Sequence, residues 1–341
     1  MPNELPETEA LARERLQIIE RFGKWTDHNI HLGNGLYTMD ASVSTEKLRR
    51  IVQIVADIAG KPLNTLRILD LACLEGQYAI EFARHGARSV GIEGRVENLE
   101  KARFAQRALR LDNVELYRDD IRNLSTEKYG EFDVVLCLGV LYHLDAPDVF
   151  EFVERIASVC NGFAVFDTYI SVTKERSVPY KGSERWGRSI REHDPTTTAQ
   201  ERVAADPWAS LDNLNSFWMT RSTLLNLLIQ AQFTSIYECY VPVEIKKPLD
   251  RITYVAVKGQ RQEVISTPAL NTETPLLPED FQPAVSDRQL RFAEGSRRLS
   301  HLIPPGIRAA AKTFLRSVGL MKRAPQPWEL RQMQRRGRTP D

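Results

Sequence analysis

Arg67-Ile-Leu-Asp-Leu-Ala-Cys-Leu-Glu-Gly76, followed by a helical pattern from Gln77 to His85 and then by Ser89-Val-Gly-Ile-Glu93, decides the fold. An apolar run of strand length, a tight turn, a helix closed by Gly86 and a second apolar run make one strand–helix–strand unit. The pattern then repeats. Val96 to Leu109 reads as a helix, Val114-Glu-Leu-Tyr117 and Phe132-Asp-Val-Val-Leu-Cys-Leu138 as strands, Ala146 to Val159 as a helix, and Gly162-Phe-Ala-Val-Phe166 as a further strand. Such alternation predicts a doubly wound, mostly parallel α/β sheet covered by helices on both faces, whose strands are near-continuous apolar runs.

Upstream, Glu7 to Phe22 is a charged helical stretch, and Trp25 to Tyr37 is a glycine- and aromatic-containing loop. Ser44 to about Ala59 predicts a helix, with Leu48, Ile51, Val52, Val55 and Ile58 at helical spacing, Ser44 as cap, and Gly60 and Pro62 as stops. Downstream, Tyr169 to Leu214 turns polar and irregular, too long for a plain connection, and reads as a functional insertion. Thr220 to Gln232 is helical, and Ser235 to Val241 with Arg251 to Val257 form a hairpin that closes the sheet. The expected organisation is an N-terminal helix and lid segment over 1–43, a ligand-binding domain over 44–260 with the insertion at 169–214, and a linker and basic tail over 261–341.

At 42% hydrophobic and 27% charged, the chain has an ordinary soluble composition. With no apolar run of membrane-spanning length and no signal-peptide pattern at Met1 to Glu9, a cytoplasmic protein is expected. Cys73, Cys137, Cys160 and Cys239 are widely spaced and read as free thiols, and no metal-ligand spacing is present. The net charge of +1 hides an asymmetry, because Ser286 to Asp341 carries +9 and the rest of the chain −8. In that tail Ile307, Ala311, Phe314 and Val318 share one helical face while Arg308, Lys312 and Arg316 line another. A basic amphipathic helix can dock on the core, lie on an anionic membrane or bind RNA.

Ligands of open α/β sheets bind beyond the carboxyl ends of the strands, where strand order reverses. The first strand runs into Asp70, Ala72, Glu75 and Gly76, a tight turn opening a helix whose N-terminus can approach a ligand. The second ends in Glu93, about 20 residues on, where a carboxylate can accept both hydroxyl hydrogens of a ribose. After the third, Asp120 can take the adenine amino group and Ile121 can pack on the ring; after the fourth, Leu138 and Gly139 offer apolar contact and close approach. Taken singly, Asp70 reads equally as a turn cap, Glu93 as a solvated strand end and Asp120 as a helix cap. In order, each at a strand's carboxyl end, they read as an adenosyl site. A dinucleotide site is excluded by the missing G-x-G-x-x-G, whose positions read Ala72, Leu74 and Gly76.

Over roughly residues 45 to 260 the sequence resembles the class I S-adenosylmethionine (SAM)-dependent methyltransferase superfamily. Gly139-Val-Leu-Tyr-His143, the strand to Asp167 and Ser216-Phe-Trp-Met-Thr-Arg-Ser222 before a helix resemble the group containing the tRNA wobble-uridine carboxymethyltransferase. The resemblance implies a Rossmann-like seven-stranded sheet with its last strand antiparallel, and SAM as cofactor, or carboxy-SAM as in that one enzyme. The family's glycine-rich turn is reduced to Gly76, and no basic residues match those expected to hold an extra carboxylate; plain SAM is therefore the expected donor.

In such an enzyme His143 is the candidate general base or substrate contact, Tyr142 a residue that stacks on or orients the acceptor, and Asp167 a partner for a base; each also has a structural reading, as cap contact, wall residue and strand-end carboxylate. His28, His31 and His193 read as surface loop histidines. Trp25 to Tyr37 and Tyr169 to Leu214 are expected to fold over the strand ends as a lid. Three functions fit: methyl transfer to oxygen or nitrogen of a small molecule or glycan, favoured by the acidic core; tRNA modification; or a catalytically silent binding module.

Overall fold

The computed structural model describes residues 4–40, 45–205, 208–244, 247–248, 250–260, 264–265 and 276–278. Ser44, expected to cap a helix, and the amphipathic face of the tail from Ile307 to Val318 lie outside the described residues.

The chain begins with α1 (Glu4–Phe22), the short antiparallel pair β1 (His31–Gly33) and β2 (Leu36–Tyr37), and α2 (Glu46–Ala59). Then come β3 (Arg67–Leu71), α3 (Gln77–Arg84), β4 (Arg88–Glu93), α4 (Val96–Ala108), β5 (Val114–Arg118), the single turn α5 (Thr126–Tyr129), β6 (Phe132–Leu138), α6 (Asp148–Val159) and β7 (Cys160–Tyr169). The insertion holds β8 (Arg176–Tyr180), β9 (Ser183–Arg191) and α7 (Ala199–Ala205) and leads into β10 (Asn215–Met219). The chain continues through α8 (Arg221–Gln230), β11 (Ser235–Glu238) and β12 (Arg251–Val257).

Seven strands form one sheet in the order β11-β12-β7-β6-β3-β4-β5. All neighbours pair in parallel except β12, which runs antiparallel to both β7 and β11. This is the doubly wound, mostly parallel sheet that the strand–helix alternation predicted, with the seven strands and antiparallel last strand that the resemblance implied. Because side chains alternate along a strand, the two faces fill separately. Ile68, Val134, Leu136, Val165 and Val255 point to one side, where Ile51, Val55 and Phe82 of α2 and α3 cover them. Leu69, Val135, Phe166 and Ala256 point to the other, against Phe150, Val153, Leu224 and Leu228 of α6 and α8. Each fully buried side chain of this size is worth roughly 1.5 to 3 kcal/mol relative to exposure. Strand order reverses between β3 and β6, which opens a crevice at their carboxyl ends.

In the N-terminal loop Trp25, Ile30 and Leu32 are buried in a cluster with Ile80 and Phe104, the Trp25 and Phe104 rings lying 5.7 Å apart. One expectation is corrected: the insertion is not irregular, since β8 and β9 within it make a three-stranded antiparallel sheet with β10. The hairpin turns at Lys181 and Gly182, both at positive φ (48° and 76°), the conformation that a tight two-residue turn requires. Its strand signal was hidden because the buried positions of β9 hold Arg185, Gly187 and Arg188 rather than apolar side chains. Phe217 of β10 anchors this sheet, edge to face on Phe150 at 5.6 Å.

Candidate active site

A cavity of about 420 Å³ lies at the carboxyl ends of the central strands, a volume in the usual range for small-molecule sites. Asp70, Glu93 and Asp120, from three successive strand ends, all line it.

The turn after β3 keeps the conformation of a glycine-rich loop without its glycines. Ala72 and Leu74 sit at φ 52° and 50°, left-handed values that cost a residue with a Cβ about 1 to 2 kcal/mol each. Neighbouring backbone bonds hold them there: the Cys73 N–H donates to Ile92 O at 2.9 Å and the Gly76 N–H to Cys73 O at 2.8 Å. Gly76 is needed for packing, because a Cβ there would fall 2.8 Å from the Ala102 Cβ. Asp70 accepts the Ala79 N–H at 3.2 Å and is otherwise desolvated. Burial, helped by the Glu93 charge and opposed by the Ala79 bond and Lys47, pushes its pKa up from 3.8 to about 7.

Glu93 uses one oxygen for the Leu74 N–H and the other for the Arg95 N–H, both at 2.9 Å, so its plane is fixed and further lone pairs remain. Burial raises its pKa as well. Asp120 caps a short 3-10 turn through the Arg122 N–H at 2.8 Å and pairs with the Arg122 guanidinium, which also reaches Asp212 of the insertion at 2.8 Å. Ile121, Leu138 and Gly139 line the same cavity.

Glu75, expected to touch a ligand, is instead fully buried outside the cavity lining. It accepts the backbone N–H groups of Thr26 (2.7 Å) and His28 (3.1 Å) and pairs with the buried Lys101 at 3.3 Å. It thus fastens the N-terminal loop to the turn after β3. That loop brings Asp27 and His28 into the cavity wall. His28 is not a surface residue: its Nδ1 accepts the Gln77 N–H at 3.2 Å, and burial, then the Lys47 charge, lower its pKa to about 3, so it is neutral. His193 is likewise buried, its Nε2 2.8 Å from Ser210 O, whereas His31 is half-buried and packs on Tyr37 at 4.7 Å.

Tyr142 and His143, on the turn that follows β6, also line the cavity. Burial pushes the Tyr142 pKa up to about 12, so its hydroxyl stays protonated. Its ring meets Tyr169 edge-on at 4.9 Å, and Tyr169 stacks on Trp218 of β10 at 4.9 Å and 11°. His143 Nδ1 lies 3.0 Å from Oε2 of Glu192, a residue just past β9 that sequence reasoning missed.

Asp167 does not partner His143. Fully buried at the end of β7, it bonds Lys247 (2.8 Å), Arg251 (2.6 Å) and Thr253 (2.8 Å) and lies 3.2 Å from Lys47. Burial works to raise its pKa, yet these cations outweigh it and hold the carboxyl well below its usual range. Three cations on one carboxylate leave an excess of positive charge, and two of them, Lys47 and Arg251, line the cavity. Among the described residues no group of His, Cys, Asp and Glu could hold a metal ion, and no helix is long and apolar enough to cross a membrane.

With this geometry, comparison with known proteins gives a consistent answer. Residues 68–162 match the methyltransferase domain family. The matched segment runs from β3 into β7 and carries every strand end named above except that of β7. The ubiquinone biosynthesis O-methyltransferase of Acinetobacter baylyi is 26% identical over 146 residues, covering 43% of this chain and 53% of its own length. That of Brucella ovis is 27% identical over 172 residues, covering 49% of this chain and 68% of its own. The chain therefore spans about half to two thirds of these relatives. Among solved structures, the N-terminal domain of EvdMO1, crystallised in the presence of SAH and D-fucose, superposes with a TM-score of 0.57 at 23% identity, covering 73% of this chain and 97% of that one. Residues 68–162 thus resemble a methyltransferase domain and the chain shares the fold of the EvdMO1 domain, with the insertion and N-terminal loop both contributing to the wall of the cavity.

Proposed function

We propose that the chain is a SAM-dependent methyltransferase acting on a hydroxyl group of a small molecule or glycan. The observation that carries this reading is the convergence of Asp70, Glu93 and Asp120 on one cavity that Tyr142 and His143 also line. The donor set suits the cofactor: Glu93 presents a fixed carboxylate to a ribose diol, Asp120 and Ile121 suit adenine, and Asp70 suits a cationic amino group. Oxygen is preferred to nitrogen because the curated relatives are O-methyltransferases.

When bound, SAM supplies an electrophilic methyl group whose transfer leaves a neutral thioether, the electron pair of the broken S–C bond staying on sulfur. The protein's task is to hold the acceptor oxygen on axis, which supplies roughly 7 to 11 kcal/mol of barrier lowering. His143 takes the hydroxyl proton as the new O–C bond forms. Tyr142 and Tyr169 wall the acceptor, and the segments around His28 and Ser210 keep water out.

Incubating the purified protein with methyl-labelled SAM and cell extract tests the reading. Label in a soluble metabolite is expected; label in RNA would overturn it, and failure to bind SAM in calorimetry would favour a silent binding module. One observation favours a second reading, in which the narrower likeness to the wobble-uridine group extends to the donor. The basic residues that could hold an extra carboxylate, unmatched in sequence, exist in space as Lys47 and Arg251 beside the cavity. Tighter binding of carboxy-SAM than of SAM would support it, and loss of that preference in Lys47→Met would tie it to this cluster.

A further inference from the structure

His143 lines the cavity with its side chain 22% exposed, while Glu192 behind it is 8% exposed. The Glu192 Oε2 that lies 3.0 Å from His143 Nδ1 also accepts the Ser210 N–H at 2.9 Å. One carboxylate oxygen is therefore shared between the insertion backbone and the imidazole. The main chain around the pair is fixed as well, since Asn213 Nδ2 donates to His143 O at 2.9 Å and the Phe217 N–H to Leu144 O at 2.8 Å. Burial works to raise the Glu192 pKa, but the His143 and Ser210 bonds outweigh it, so the group is an ionised acceptor. A carboxylate can only accept, so Nδ1 must be the protonated nitrogen and Nε2 is left with its lone pair.

We infer that Glu192 is a positioning residue for the transfer reaction: it fixes His143 in the Nδ1–H tautomer, with Nε2 as the atom that receives the acceptor's proton. The catalytic consequence rests on the proposed hydroxyl methylation; the tautomer does not. In the step, the acceptor O–H gives its proton to Nε2 as its oxygen takes the methyl group, and the imidazolium that forms stands against the Glu192 carboxylate. The base is complete only when the insertion is in place. Strand β9 delivers Glu192, and Ser210 holds it. A free surface imidazole divides its proton between both nitrogens, so the pair converts an ordinary histidine into a base with one defined accepting atom.

The test is nitrogen-15 NMR of histidine-labelled protein without ligand, the His143 signals being assigned by their disappearance in His143→Gln. The Nδ1–H form is expected above the pH at which the ring is charged. Because one oxygen takes both contacts, Glu192→Gln can keep an acceptor for Nδ1–H while losing the charge, whereas Glu192→Leu removes the acceptor; Glu192→Leu is expected to mix the tautomers, leave SAM affinity in calorimetry within about twofold, and slow label transfer to the soluble fraction of cell extract at least tenfold, toward the roughly 100-fold expected for loss of a general base. Glu192→Asp is expected to recover part of that rate. An Nε2–H tautomer in the unaltered protein, or a tautomer unchanged in Glu192→Leu, would overturn the inference whatever the activity. If neither the protein nor its variants transfer label, the functional reading fails while the NMR result still decides the tautomer.

Discussion

The proposed placement of a cationic amino group against Asp70 predicts a pH-dependent cofactor affinity whose size can be worked out. Its carboxyl is fully desolvated at the end of β3, with Glu93 and Lys47 as the charges that act on it, and burial moves its pKa from 3.8 to about 7. The sign follows from the direction: the raised value means that the ligand-free fold binds a proton the unfolded chain releases, so this group's contribution to stability is complete below about pH 4 and is lost as pH rises through 7. The full difference is worth roughly 4 kcal/mol as an upper bound. A cationic amino group placed against Asp70 needs the ionised form. Between pH 5.5 and 7.5 SAM affinity should therefore rise with pH, weaker by roughly tenfold at pH 6 than on the plateau, with about half a proton released per SAM bound at pH 7. His28 does not confuse the window, because its pKa is about 3. Calorimetry in buffers of different ionisation enthalpy measures both quantities, and Asp70→Asn is the control, expected to bind weakly and without the slope. A flat affinity across the window, or the same slope in Asp70→Asn, would refute the assignment of Asp70 to a charged part of the cofactor.

Replacing Asp167 with Asn strands Lys47, Lys247 and Arg251 against a neutral group and should cost about 3 to 5 kcal/mol in urea unfolding at pH 7.5. Because its carboxyl is held below the ordinary range, that stability is present above pH 4 and should fade as acid is added, a fade absent in the variant. Glu75→Ala leaves Lys101 and the N–H groups of Thr26 and His28 without their acceptor; a similar loss is expected, with hydrogen exchange rising first around residues 24–38. Gly187→Ala would place a Cβ 2.3 Å from Trp218 O, so the β9–β10 pairing should loosen, at a cost of about 1 to 3 kcal/mol in thermal unfolding, while SAM still binds.

How much was legible in the sequence depended on how local each signal was. Strands such as Phe132–Leu138 are continuous apolar runs, and α2 shows its buried stripe at helical spacing, so the central sheet and the carboxylates ending its strands could be read directly. Asp70 and Glu93 lie among the last two residues of β3 and β4 and Asp120 two residues past β5, and a parallel sheet places all such ends on one rim. Strand β9 was illegible because its buried positions carry arginines, which pattern reading assigns to the surface.

The chain's own order of residues thus determined the doubly wound fold and the rim of carboxylates at its strand ends, since strand periodicity and strand-end position are properties of neighbours in sequence. Only tertiary structure decided the chemistry around it. Glu192 reaches His143 from 49 residues away, Lys247 and Arg251 reach Asp167 from 80 and 84 away, and Glu75 spends its carboxylate on Thr26, 49 residues back. Such pairings depend on how the insertion and the N-terminal loop close over the sheet, and a desolvated carboxylate takes whichever donors that closure brings within hydrogen-bonding distance.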